Sequence, residues 1–488
     1  MKHFSLIIII LFVQSFLFSQ SNIKQPRLDP DEKAFEFAHI GQTRDYSWQD
    51  MLDIALWASG ADYSKDNTVR NSILASGEIL AKSKDLPQQK NDQGEFILNY
   101  MHQTFLKKYE EKQTLLDVLV NTGRYNCVSS AVLYAIFASV IGLETNGILT
   151  KDHAFIQVNI GTELVDVETT TLYGYNPGIK KEFHDGFGNT TGYAYVAPRN
   201  YRDRSPISQL ELMSLILSNR IVDLESRGFF ADAVGIAIDK AALMSARRNP
   251  SESSFFTDPN KDVMDRLFNY GASLIQAGKE EDALSWADAA ESRYPDNRWQ
   301  DFVFAAANNH LVKMIRTKKI SDARVFLDME ASRFSSANYA KLELLVSDAE
   351  LVQITSLVST AVGTEQALQK IAQIESRGII SADRIAEVRS FVLLKEAERR
   401  AKNSGWKDAA IYMEHAIDTY GSNTQLKNAL KVFKDNIAID YHNEFADLFN
   451  AGEYEEALRV MQKALQEFPS NRQLTSDLRM VENAMERE

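Results

Sequence analysis

The sequence predicts a chain of mixed class: an α+β N-terminal part followed by an all-α solenoid of helical hairpins. Three observations carry this. The 488 residues exceed one ordinary core, so two or three domains are expected. Between Cys127 and Glu168 a long apolar helix is followed by two short strand-like runs. After Pro206 the pattern is helical and self-similar to the end of the chain. The expected divisions are 1–20, 21–205 and 206–488.

The N-terminus opens with Met1-Lys2-His3, then an apolar run from Phe4 to Phe18 broken only by Ser5, Gln14 and Ser15, then Ser19-Gln20-Ser21. This is the layout of a secretory signal peptide, and the apolar run is short for a membrane-spanning helix. Export to a periplasmic or extracellular location is therefore expected, with no stable membrane span once the signal is removed. No Cys follows the run, so lipid attachment there is not expected.

Apolar residues at helical spacing mark Met51-Leu52-Ile54-Ala55-Trp57 and Ile73-Leu74-Ile79-Leu80. Pro87 to Asp92 reads as a polar break, and a helix is predicted from Glu95 to Lys108 with Ile97, Leu98, Met101 and Phe105 on one face. Asn121 to Asn126 reads as a loop. Cys127 then opens a helix through Ile141, ended by Gly142. Ala154 to Val158 and Leu164 to Glu168 are predicted strands joined by a turn at Asn159-Ile160-Gly161-Thr162. Tyr173 to Tyr195 is predicted to be a loop region, whose tyrosines either line a cleft or pack against the sheet.

The helical half repeats itself. Gly228-Phe229-Phe230-Ala231-Asp232-Ala233-Val234, Gly278-Lys279-Glu280-Glu281-Asp282-Ala283-Leu284 and Gly452-Glu453-Tyr454-Glu455-Glu456-Ala457-Leu458 align, with weaker copies at Ser321-Asp322-Ala323 and Lys407-Asp408-Ala409. Tyr294-Pro295 and Phe468-Pro469 follow two of them at the same offset. The unit is helix, Gly-containing turn, then a helix with a small Ala at the contact. It resembles the tetratricopeptide repeat in a degenerate form with irregular spacing. Stacked hairpins leave a surface suited to a protein or peptide partner.

A formal net charge of −13 and the lack of a basic stripe argue against nucleic acid. His184-Asp185 has no neighbouring His or Cys at ligand spacing, and no phosphate loop or dinucleotide fingerprint occurs, so no metal or cofactor is expected.

Chemistry is concentrated at the chain's single cysteine. Nucleophilic thiol catalysis needs a thiolate, a base and a group that orients the base. Cys127 lies at a predicted helix N-terminus, where unpaired backbone N–H groups favour a thiolate and can receive an oxyanion. His153 begins the first strand, and Asp166 and Glu168 end the second, so either carboxylate is a candidate to hold the imidazole.

Asn126-Cys127 with Ala131-Val132-Leu133-Tyr134 and Gly142-Leu143, then His153-Ala154-Phe155-Ile156-Gln157-Val158 and an acidic-Thr strand end, resembles the transglutaminase-like superfamily between Thr114 and Thr171. The resemblance implies a papain-like fold, Cys127 as nucleophile and His153 as base. An ungapped count from the family His lands on Glu168, with Thr170 at the family Thr, whereas Asp166 keeps the residue type two positions early. Thr169 stands where the family has Pro, Val128 where a Trp often follows the Cys, and Leu164 where another Trp is common. The resemblance therefore implies hydrolysis of a peptide or isopeptide amide in preference to glutamine–lysine cross-linking. The alternative is a non-catalytic protein-binding scaffold in which the repeats act.

Overall fold

The structure is a computed structural model that describes residues 24–64, 67–178, 180–247 and 255–486. The segment read as a signal peptide lies outside the described residues. The chain forms two compact units that part at Phe302.

The first unit begins with four helices: α1 (Glu32–Thr43), α2 (Trp48–Ala58), α3 (Thr68–Lys82) and α4 (Lys90–Thr104). A reciprocal cap starts α2: the Asp50 amide donates to Ser47 Oγ at 3.2 Å, and the Ser47 amide to Asp50 Oδ2 at 2.7 Å. Met51, Leu52, Ile54 and Ala55 face the core as the spacing predicts. In the α3 stripe Ile73 and Leu80 are buried, but Ile79 is exposed. The predicted helix 95–108 starts five residues earlier, inside the supposed polar break. It stops at Thr104, because Lys108–Tyr109 becomes a strand, β1.

β1 pairs in parallel with β2 (Arg124–Tyr125) across the short helix α5 (Leu116–Thr122). Helix α6 (Cys127–Val140) follows at once, and every residue from Val128 to Ala138 is buried. Such an all-round apolar helix is stable only at the centre of a core. Helices α2, α3 and α4 pack on it, as do β3 (Glu144–Leu149) and β4 (Ala154–Ile160). With β5 (Glu163–Val167) and β6 (Ser205–Ile207) these make an antiparallel sheet in the order β5-β4-β3-β6. The predicted loop over 173–195 contains a helix, α7 (Lys181–Thr191), with Phe183 and Phe187 buried. After β6 come α8 (Gln209–Ser226), α9 (Phe230–Met244), α10 (Pro259–Gln276) and α11 (Glu280–Arg293). Helix α8 packs on α2 and α6, and α9 packs on α1.

The expected papain-like α+β N-terminal domain is therefore corrected. Of the described residues 69% are helical, and the sheet is a small four-stranded element within a helical unit. The misreading has a physical source: the two strand runs that stand out in the sequence are short, and their core is completed by helices from both sides of them in the chain.

Helix α12 (Arg298–Arg316) contains the boundary between the units. The second unit continues with α13 (Ile320–Glu330), α14 (Ser336–Ile354), α15 (Ala361–Ser376), α16 (Ala382–Ser404), α17 (Trp406–Tyr420), α18 (Thr424–Asn450), α19 (Tyr454–Glu467) and α20 (Arg472–Met485). Successive helices pack on one another, and α18 also meets α16 and α20. Between α13 and α14, Arg324 donates to Glu343 at 2.6 Å and to both Glu350 oxygens at 3.1 and 3.0 Å.

The repeated motif marks real turns. Gly228, Gly278 and Gly452 have φ of +81°, +71° and +78°, the left-handed values that end one helix before the next. Five residues on, Ala233, Ala283 and Ala457 are fully buried, as are Ala323 and Ala409 in the weaker copies. Lys318 occupies the glycine position ahead of Ala323 and still adopts φ +61°. A tetratricopeptide assignment does not hold, since helices in the second unit run from 11 to 27 residues where that repeat pairs two helices within thirty-four.

Candidate thiol site

The site begins with the cap of α6. The Ser129 amide donates to Asn126 Oδ1 at 3.0 Å, and the Asn126 amide donates back to Ser129 Oγ at 3.0 Å. Asn126 Nδ2 is anchored on the Glu111 carbonyl at 3.0 Å. Cys127 is thereby held as the first helical residue, half-buried and unpaired, where the helix's free amides and positive end favour an anionic sulfur.

His153 lies at the mouth of the β3–β4 hairpin. Its amide donates to Thr150 Oγ1 at 3.1 Å, and its carbonyl accepts from the Thr150 amide at 2.8 Å. The residue is 6% exposed, its ring flanked by Phe187 at 5.4 Å, Tyr193 at 5.6 Å and Phe155 at 6.3 Å. Nε2 donates to Glu168 Oε2 at 2.7 Å. Nδ1 is buried and closes no hydrogen bond of ordinary geometry. Burial pushes the imidazole pKa down, but the Glu168 charge, the contact with the Cys127 thiol and the bond to Glu168 outweigh it and raise the value to about 10. The Cys127 thiol thus contributes to raising the pKa of the ring that Glu168 orients, and unliganded thiol–imidazole pairs are commonly loose.

Glu168 is fully buried. Its second oxygen accepts from the Thr170 amide at 3.2 Å and the Thr170 hydroxyl at 2.8 Å. Its own amide donates to the Gly174 carbonyl at 2.9 Å. The segment after it is tied down by three bonds from other elements: His102 Nε2 to the Thr169 carbonyl at 3.2 Å, the Tyr125 hydroxyl to the Thr170 carbonyl at 3.0 Å, and Ser130 Oγ with Thr169 Oγ1 at 2.7 Å. Burial of His102 lowers its pKa to about 4 despite the Thr169 and Thr171 carbonyls, so it is neutral at physiological pH.

Of the two carboxylates, the structure brings Glu168 to His153 and takes Asp166 elsewhere. Asp166 holds Arg204 in a two-pronged pair at 2.7 and 2.8 Å, accepts from Gln157 at 3.1 Å, and also accepts from the Tyr195 hydroxyl. Asp166 lies in β5 opposite Gln157, whereas Glu168 lies past the strand's end, where the chain bends away.

Tyr175 and Tyr195 pack inward, Tyr173 is exposed, and Tyr193 covers the imidazole. The Tyr193 hydroxyl donates to Glu111 at 2.8 Å, closing the α7 segment over the site. His184 is a surface residue whose Nε2 donates to the Gly178 carbonyl at 2.9 Å. Sequence reasoning missed Thr170's bonds to Glu168 and the supports from His102, Tyr125 and Ser130. These depend on tertiary packing and leave no local pattern.

No protein-family model matches the chain, and no curated protein matches it. A solved structure, the crystal structure of menin that reveals its binding site for the Mixed Lineage Leukemia protein, aligns at 10% identity over 85% of this chain and 99% of that chain, with a TM-score of 0.27. The resemblance to the transglutaminase-like superfamily is corrected accordingly: no family match upholds it, the protein is mostly helical, and neither a transglutaminase nor a cysteine-protease assignment is supported. The motif that carried it is short, and short motifs recur without common descent. No helix among the described residues is long and apolar enough to cross a membrane.

Proposed function

We propose that the protein is a helical scaffold that docks a protein or peptide partner through its second unit. The observation that carries this reading is the run of helical hairpins from α13 to α20, which buries one face of each helix and leaves Val325, Met329, Ile411, Val432 and Ile439 exposed. Full-length protein with a photo-crosslinking residue at position 439 should capture a partner. Binding of that purified partner should weaken at least tenfold in Ile411→Asp or Ile439→Asp, with unchanged melting temperature. Unchanged affinity in both variants would overturn the reading. Export is proposed from the N-terminal apolar run, and a recovered mature chain that retains Met1 would count against it.

A second reading is supported by one specific observation: a buried imidazole bonded to Glu168 on one side, with its other nitrogen unbonded and Cys127 near enough to raise its pKa. In this reading Cys127 attacks an acyl carbonyl, His153 carries the proton, and Glu168 fixes the ring. Iodoacetamide should alkylate wild type at pH 7.5 and leave Cys127→Ala unlabelled. His153→Ala should slow alkylation by about 10-fold or more, since it loses the imidazole that favours the thiolate. Failure of the folded wild type to react would dispose of the thiol reading.

A further inference from the structure

Tyr109 has a hydroxyl that the fold leaves buried and without a hydrogen-bond partner. Burying a hydroxyl without a partner is costly, so such groups call for an explanation. Here the backbone holds the residue in place. The Lys108 amide donates to the Gly123 carbonyl at 3.0 Å and the Glu110 amide to the Tyr125 carbonyl at 2.8 Å. Tyr109 therefore lies directly opposite Tyr125 in the parallel β1–β2 pair, with ring centroids 5.9 Å apart and nearly perpendicular. Tyr125 is two residues before Cys127, so this pairing fixes Tyr109 beside the start of α6.

We propose that Tyr109 is a catalytic residue of the thiol site, its hydroxyl donating a hydrogen bond to the oxyanion formed when Cys127 attacks an acyl carbonyl. The proposal rests on the thiol reading above. In the step, the Cys127 sulfur forms a bond to the carbonyl carbon and the carbonyl π pair moves onto oxygen. That oxygen accepts from Tyr109 Oη. Collapse restores the carbonyl, expels the leaving group with its bonding pair and leaves a thioester on Cys127. Where the leaving group needs a proton, His153 supplies it. Two features support the assignment. Burial, then the neighbouring charges of Cys127, Tyr193, Glu111 and Glu168, all raise the Tyr109 pKa, so the group keeps its proton and acts as a donor. The strand pairing also holds the residue itself in one place.

The test compares two reactions of the same thiol on full-length protein. Alkylation by iodoacetamide displaces iodide and forms no oxyanion, whereas acylation by p-nitrophenyl acetate forms one. Tyr109→Phe should leave the alkylation rate within about twofold of wild type and slow the p-nitrophenolate burst by about 10²–10³-fold, the range for loss of one oxyanion donor. Equal bursts in Tyr109→Phe and wild type would overturn the proposal. So would parallel slowing of both reactions, which would make Tyr109 a positioning residue for the thiol. A wild type that neither alkylates nor acylates would instead remove the thiol reading beneath it. A circular-dichroism spectrum and melting temperature matching wild type show that the variant is folded, and Tyr109→Trp, which keeps a donor of different reach, should recover part of the burst.

Discussion

His153 and Glu168 meet across the end of the β4–β5 hairpin at 2.7 Å, both buried, with the carboxylate's other oxygen taken by Thr170. The pair has a pH signature. The imidazole pKa is raised from its ordinary 6.5 to about 10. Its contribution to stability is fully present below pH 6.5 and is lost as pH rises through about 10. Glu168→Gln should cost about 3–5 kcal/mol near pH 6, the scale for breaking a buried pair. The difference in melting temperature between wild type and Glu168→Gln should shrink steadily toward pH 10. A gap that widens with pH would contradict the assignment.

Asp166 and Arg204 form the neighbouring pair, with side chains 3% exposed each. Asp166→Asn leaves the guanidinium short of charge in a dry site and should destabilise by about 3–5 kcal/mol in chemical denaturation. Under native conditions iodoacetamide alkylation of Cys127 should stay at the wild-type rate, because Asp166 makes no contact with the imidazole. Slowed alkylation in the folded variant would show the two carboxylates to be functionally linked.

Gly174 passes so close to the chain that a Cβ there would stand 1.8 Å from the Glu168 carbonyl oxygen. Gly174→Ala must move backbone, and with it the carbonyl that accepts from the Glu168 amide. A loss of about 1–3 kcal/mol is expected from the overpacking. Alkylation of Cys127 should slow together with it, measured on the fraction that remains folded by circular dichroism.

Lys318 stands in the left-handed conformation that glycine holds at the equivalent turns. Lys318→Gly should raise stability by about 1 kcal/mol, the left-handed penalty less the extra chain entropy of glycine. A shift of the unfolding midpoint to higher denaturant checks it, and a shift to lower denaturant would rule out strain at this turn.

Much of the helical half was legible because its signals are local. The left-handed glycines and the fully buried alanines of the repeated motif each do at their own position what the residue type suggests. Helix α6 was equally plain, its apolar run bounded by Asn126 and Gly142. The candidate site was legible in part. Cys127 and His153 were legible as the thiol and imidazole of one candidate site, but strand spacing left Asp166 and Glu168 both open, and only the ungapped count from the resemblance favoured Glu168. What separates them is where β5 stops and where Arg204 comes from, thirty-eight residues away. Helix α7 was missed because its sequence, Lys181 to Thr191, carries three residues of low helix propensity (Gly186, Gly188 and Asn189) and is held by packing of Phe183 and Phe187. The papain-like expectation failed for a related reason: a motif confined to Thr114–Thr171 says nothing about which helices close its core.

The β4–β5 connection is two residues long, Gly161-Thr162, with Ile160 paired to Glu163 and φ of +62° at Gly161. Because strand side chains alternate, the parity of this turn decides which residues enter the interior. An inserted residue taken up by the strand and not by the turn would shift the pairing by a single step, exchanging the faces of Val165, Asp166 and Val167, withdrawing Asp166 from Arg204 and carrying Glu168 away from the ring it holds. An insertion of two would preserve every facing. Extra length in this hairpin is thus tolerated where the turn absorbs it, and a variant whose strand register slipped by one would carry all the site's residue types in sequence and none of its geometry.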